Sequence, residues 1–160
     1  LKKWGDCGVL LSTSPDTYER FTAFSATHLM SLMLFVMLVV LIYAASNWLS
    51  RGERRRAISR YALAVVLAAA EIALNIWYIS KGVFDPADTL PLELCSISLY
   101  LCVFMLLFRS RLLFQIVYFT GIGGALQALL TPVLAFDFPH FRFVQFFLAH
   151  SMIIIAVLYM

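Results

Sequence analysis

The sequence predicts an all-α polytopic membrane helix bundle, and three observations carry that prediction. Hydrophobic residues make up 62% of the 160-residue chain and charged residues 13%, with a mean hydropathy of +0.90. A soluble domain carries about 45–50% apolar and about 25% charged residues, so this chain has too little polar surface to wrap a water-facing body. The apolar residues gather in five runs of membrane-spanning length, and the arginines gather in alternate links between them. Fourteen Phe, seven Tyr and three Trp fit the same class, since aromatic rings fill bundle interiors and sit at the interfaces.

Polar boundaries mark off the five runs in order: 24–48, 58–79, 92–108, 112–134 and 143–160. Each is about 17–25 residues, the length an α-helix needs to cross a hydrocarbon core of about 30 Å. Barrel strands are about 9–11 residues and alternate strictly, which these runs do not. No repeat, low-complexity tract or linker interrupts them, so residues 1–160 read as one transmembrane domain. The first run is too long for the core of a signal peptide, and no cleavable targeting segment is expected. The last run stops at Met160 without a polar flank, which predicts a truncated chain.

The links orient the bundle. Arg51, Arg54, Arg55 and Arg56 cluster between the first two runs, followed by Arg60 at the start of the second, and Arg109 and Arg111 lie between the third and fourth. Positively charged loops stay in the cytoplasm, so the basic loop at 51–60 is placed inside and the N-terminal segment outside. The opposite links hold Lys81, Asp85 and Asp88, then Asp137, His140 and Arg142, with Pro86, Pro91 and Pro139 suiting short rigid turns. Net charge is +3, but the arginines form one short loop cluster without aromatics, which argues against nucleic acid. Membrane lipids are the expected partners, and anionic lipids a secondary contact of the basic loop. Cys7, Cys95 and Cys102 show no C-x-x-C spacing, and three thiols cannot all pair internally. No metal or cofactor is called for, and nothing in the sequence fixes an oligomeric state.

A rise of about 1.5 Å per residue places the polar groups in depth. His28 lies roughly 6 Å below the outer end of its run, Glu71 roughly 12 Å and Asn75 roughly 6 Å. Glu71 and Asn75 share a face at i and i+4. Glu93, Cys95, Ser96 and Ser98 fall in the first two turns of the third run, Gln127 and Thr131 form a second i, i+4 pair, and His150 lies roughly 10 Å in. All five runs thus place polar side chains in the outer half, while the inner halves are mainly aliphatic apart from Cys102 and Gln115. A charge in hydrocarbon costs about 2.5–3.5 kcal/mol on insertion scales. These groups are therefore expected to face one another around a polar cavity that opens outward, shaped for an amphiphile with a polar head and an acyl tail.

Each residue also has a plainer reading. Glu71 can be a neutral structural group, and a buried Cys is usually a small apolar filler, the reading given to Cys102. A lone His in a membrane helix often hydrogen-bonds a neighbour. Gly121, Gly123 and Gly124 read as close-packing positions, and Pro132 as a kink or terminus. The reactive reading pairs Cys95 with His150. A thiol gains nucleophilicity from a base beside it, imidazole suits that task near neutral pH, and Glu71 or Glu93 is expected to orient the ring. Sequence supplies the depth of these groups but not their azimuth.

Several stretches resemble the YwaF-like family of bacterial integral membrane proteins: Phe21-Thr-Ala-Phe-Ser-Ala-Thr-His28, Leu90-Pro-Leu-Glu-Leu-Cys95, Thr120-Gly-Ile-Gly-Gly-Ala-Leu-Gln127 with Thr131-Pro132, and Phe146-Phe-Leu-Ala-His150. That family is similar to a eukaryotic transmembrane acyltransferase that moves polyunsaturated acyl chains between phospholipids to make ether-linked phosphatidylethanolamine. The resemblance implies a bacterial cytoplasmic-membrane protein, an acyl-carrying cysteine at Cys95, a histidine at His150, and further helices beyond Met160. Glu93 departs from the pattern, since many relatives carry His there.

The leading expectation is therefore a thiol-dependent acyltransferase, or acyl hydrolase, acting on a phospholipid or lysophospholipid. Cys95 carries the acyl group, His150 is the base, Glu71 or His28 orients the site or binds the head group, and Gln127 and Thr131 hydrogen-bond the phosphate or oxyanion. Asn75 and Glu93 complete the candidate set. One rival is a non-enzymatic lipid-binding or transport protein with Glu71 and Asn75 along a polar path. The other is a metal-dependent lipid hydrolase ligated by His28, Glu71, Glu93 and His150, without an H-E-x-x-H signature to support it.

Overall fold

The protein was analysed as a computed structural model, which describes residues 21–49, 52–81 and 94–160. Glu93, Cys7 and the expected outer link at 82–93 lie outside the described residues. The described residues form five helices and no strand: α1 (Ala26–Leu49), α2 (Glu53–Ser80), α3 (Leu94–Phe108), α4 (Arg111–Leu130) and α5 (Phe141–Tyr159). α1, α2, α4 and α5 are long and apolar enough to cross a membrane. At 15 residues, α3 reaches only about 22 Å at the standard rise. The architecture is a polytopic helical membrane bundle.

Local chemistry sets the helix ends. α2 begins five residues before the apolar run expected from position 58, because arginine is a good helix former and keeps the helix wound beyond the apolar stretch. Glu53 in its first turn complements the positive end of the helix dipole. Ser110 caps α4 by accepting the Leu113 amide at 3.4 Å. α4 ends at Leu130, four residues short of the expected 134. Thr131 leaves helical geometry at φ −130° and ψ 65°, as the residue before Pro132 is pushed to do. His140 caps α5 by accepting the Arg142 amide at Nδ1.

α3, α4 and α5 pack on one another, α2 packs on α3 and α5, and α1 lies at the edge against α5 and α2. Leu67, Leu99, Cys102, Met105, Leu106, Val117, Leu129 and Ile153 interlock at the centre, none more than 2% exposed. Cys102 is filler there, its thiol directed at the Ile153 carbonyl at 4.0 Å. With lipid tails as apolar as Leu, contact quality rather than burial from water holds such helices together. Gly121 shows that quality. A Cβ there would lie 2.7 Å from Val117 Cγ1, one turn back on α4 itself, and 3.3 Å from Ile153 Cγ2 on α5, so the glycine leaves room both for the Val117 side chain and for a tight approach of α5.

Candidate functional site

A cavity of about 350 Å³ opens at one end of the bundle, between the C-terminal part of α2, the start of α3, the end of α4 and the start of α5. That volume is in the range of small-ligand sites. Cys95, His150, Glu71, Asn75 and Thr131 all line it. So do Ser96, Tyr78, Arg142 and Gln145, while Leu74, Leu99, Phe146 and Ile153 supply apolar wall. The helical repeat explains the grouping. Glu71, Asn75 and Tyr78 form one stripe of α2, and Arg142, Gln145, Phe146, Ala149 and His150 form one stripe of α5.

His150 is buried at 8% exposure. Its Nδ1 donates to the Phe146 carbonyl at 2.7 Å, because a carbonyl oxygen can only accept. In the neutral ring this tautomer puts the basic lone pair on Nε2. The partner of Nδ1 is thus a main-chain carbonyl one turn back rather than the carboxylate of Glu71, one of the two expected from sequence; the other, Glu93, lies outside the described residues. The ring also lies against Phe146, centroids 4.2 Å apart. Cys95, half-buried at the first turn of α3, presents a thiol to the same space.

Glu71 is 5% exposed, and its Oε1 accepts the Tyr100 hydroxyl at 3.3 Å. Asn75, one turn on, bonds the Glu71 main-chain carbonyl through Nδ2 at 2.9 Å rather than the carboxylate. Arg142 stands over the Tyr78 ring at 5.2 Å and donates from Nη1 to Gln145 Oε1 at 3.4 Å. A cation held over an aromatic face in a partly desolvated mouth suits an incoming anion. Sequence reading left Arg142 in the outer link. Its spacing of three from Gln145 and eight from His150 marks the shared α5 face.

Two expected members sit elsewhere. His28 does not reach the cavity, so four helices line it rather than five. The His28 ring is fully buried between α1 and α4, with Nε2 donating to the Leu129 carbonyl at 2.8 Å and Nδ1 accepting the Phe24 amide at 2.9 Å. Phe21 and Phe147 pack on it. Thr27 adds a second tie, donating to Asp137 Oδ1 at 2.8 Å, and together they fasten α1 to the bundle. Gln127 is exposed and outside the lining. It donates to Thr131 Oγ1 at 2.8 Å, while that hydroxyl donates to the Gln127 carbonyl at 2.9 Å. The Thr131 proton is therefore committed to main chain. Among the described residues no three His, Cys, Asp or Glu side chains gather as a metal would require, and His28 is held away from Glu71 and His150.

Residues 23–160 match the sequence model of the TMEM164 family. Neither a curated protein nor a solved structure matches the chain.

Proposed function

The chain belongs to the TMEM164 family, and from that premise we propose that it is a membrane-embedded thiol acyltransferase acting on phospholipid and lysophospholipid. The observation that carries this reading is the shared lining: Cys95, His150, Glu71 and Arg142 border one cavity of about 350 Å³ with an apolar wall beside a charged mouth. The likeness to YwaF-like proteins and their acyl-transferring eukaryotic relative, seen in the motifs around Cys95 and His150, supports it further.

In the first half-reaction, His150 Nε2 takes the Cys95 thiol proton and the thiolate attacks the donor ester carbonyl. The ester C–O bond breaks, the acyl group stays on sulfur as a thioester, and the proton passes from His150 to the departing lysolipid oxygen. In the second, His150 takes the proton of an acceptor hydroxyl, whose oxygen attacks the thioester carbonyl; the C–S bond breaks, the acyl group leaves as an ester on the acceptor oxygen, and His150 returns the proton to the Cys95 sulfur. Arg142 holds the lipid phosphate at the mouth, and Asn75 and Gln145 supply polar contacts to the glycerol region. Water as acceptor turns the same cycle into hydrolysis. The working side is the outer leaflet, in a bacterial cytoplasmic membrane whose inner face meets the basic loop.

The test uses the full chain in detergent micelles with a phospholipid bearing an alkyne-tagged acyl chain. A hydroxylamine-labile label on Cys95 is expected, lost in Cys95→Ala. Cys95→Ser is expected to trap an oxyester that resists neutral hydroxylamine. Undiminished labelling of Cys95→Ala rejects the mechanism. Lipid binding that survives Cys95→Ala but fails in Glu71→Ala, without turnover in the wild type, gives the cavity to carriage instead.

A further inference from the structure

A second and larger cavity, of about 920 Å³, lies at the opposite end of the bundle between α1, α2, α5 and the α3–α4 junction. Its lining brings together Arg56 and Arg60 from α2 with Arg109 from the end of α3, against the single carboxylate of Glu53. Three guanidinium groups and one carboxylate leave two positive charges in excess. The rest of the wall is mainly apolar, with Val39 and Ile42 of α1 and Ile155 and Leu158 of α5 beside the rings of Tyr43 and Tyr159.

A basic loop that served topology alone would keep its charges in water. Arg60 does not. It stands seven residues into α2, about 10 Å along the helix, and is only 8% exposed. It lies over the Tyr61 ring at 5.1 Å, and its buried Nε–H donates to nothing among the described residues. A buried donor without an acceptor costs about 1–3 kcal/mol, and more on a charged group. Arg109 is a second anomaly. It closes α3 with its amide on the Met105 carbonyl at 2.9 Å, yet sits at φ 53°. Glycine is the cheap residue for that left-handed position, and a strained side-chain-bearing residue there points to a use for its side chain. Both features turn toward the same cavity. Tyr159, whose hydroxyl donates to the Arg56 carbonyl at 3.1 Å, ties the end of α5 to this rim.

We propose that this cavity is an anion site for a phosphate ester, distinct from the Cys95 cavity, in which Arg60 and Arg109 grip the phosphate oxygens. The guanidinium fork matches phosphate geometry and supplies the acceptor that the Arg60 Nε–H lacks. The excess charge matches a phosphate that carries no cation of its own. The ester can belong to an anionic phospholipid whose tails lie along the apolar wall, or to a soluble phosphate compound entering from the basic end.

Thermal unfolding of the full chain in dodecyl maltoside micelles separates these sources. Dioleoylphosphatidylglycerol, dioleoylphosphatidylcholine and inorganic phosphate are titrated separately. Saturable stabilisation by phosphatidylglycerol and not by phosphatidylcholine is expected, with Arg60→Gln and Arg109→Gln each weakening the apparent affinity about tenfold. Equal stabilisation by inorganic phosphate alone supports the anion site and assigns it a soluble ligand. Arg109 is exposed, so Arg109→Gln keeps the fold and remains decisive if Arg60→Gln unfolds. Indifference of both variants, or identical curves for the two lipids with no response to phosphate, overturns the proposal.

Discussion

His28 and His150 stand in the same outer half of the sequence-derived membrane, yet their ring nitrogens are spent differently. His28 gives both to main chain, Nδ1 to the Phe24 amide and Nε2 to the Leu129 carbonyl. His150 gives Nδ1 to the Phe146 carbonyl, which sets the tautomer and directs the basic nitrogen. Substitution should separate the two roles. His28→Leu is expected to cost about 1–3 kcal/mol by leaving the Leu129 carbonyl unpaired, read as a lower unfolding midpoint. His150→Gln should leave that midpoint nearly unchanged while acyl turnover falls by about 10²–10⁴. Arg142→Gln should raise the apparent KM for phospholipid with a smaller effect on kcat, since its reach is to the head group. Position along the helix was legible for His28 and His150, because it follows from counting. Which way a ring points was not, because azimuth depends on how neighbouring helices rotate. That is why His28 and Gln127 were grouped with Cys95, and why Tyr100, the hydroxyl partner of Glu71, went unnoticed on α3.

At the level of helices, the run lengths carried the fold well, and the departures have local causes. Hydropathy marks where lipid begins rather than where a helix begins, so the arginine-rich turn of α2 was missed and the tail of α4 overextended across Pro132. The α4–α5 contact supplies a sharper test. Gly121 is wedged against Val117 and Ile153, whereas a Cβ at Gly123 would meet nothing within 4 Å. Gly121→Leu is expected to push the helices apart at a cost of about 1–3 kcal/mol. Gly123→Ala should gain about 0.5–1 kcal/mol from the better helix propensity. Thermal unfolding in one detergent compares the pair directly. Because α5 also carries His150, the Gly121 variant should lose turnover as well as stability, and the Gly123 variant neither.

Across the whole molecule, the two cavities occupy opposite ends, one beside Cys95 and one beside the arginines. The sequence foretold the first from its costly polar groups, but at the other end it marked only mainly apolar helix, with Cys102 and Gln115 as exceptions, beside a basic loop, since an arginine near a run boundary looks the same whether it is buried or in water. Orientation is open to a direct check. In right-side-out bacterial spheroplasts, with Cys7 and Cys95 first replaced by Ser, an impermeant maleimide is expected to label Phe138→Cys and to leave Arg54→Cys untouched until the membrane is opened. The reverse pattern inverts the assignment of sides. The edge position of α1 has its own consequence. With 6% of its most apolar stretch buried against the described residues, this helix leaves nearly all of that stretch uncovered; its hydrogen-bonded ties, Thr27 and His28, sit at one tip, and only Leu32 and Phe35 beyond them pack on the core. Short-chain surfactants should therefore peel it away while the four remaining helices hold together, so preparations that look well folded by helix content can already lack their outermost rod.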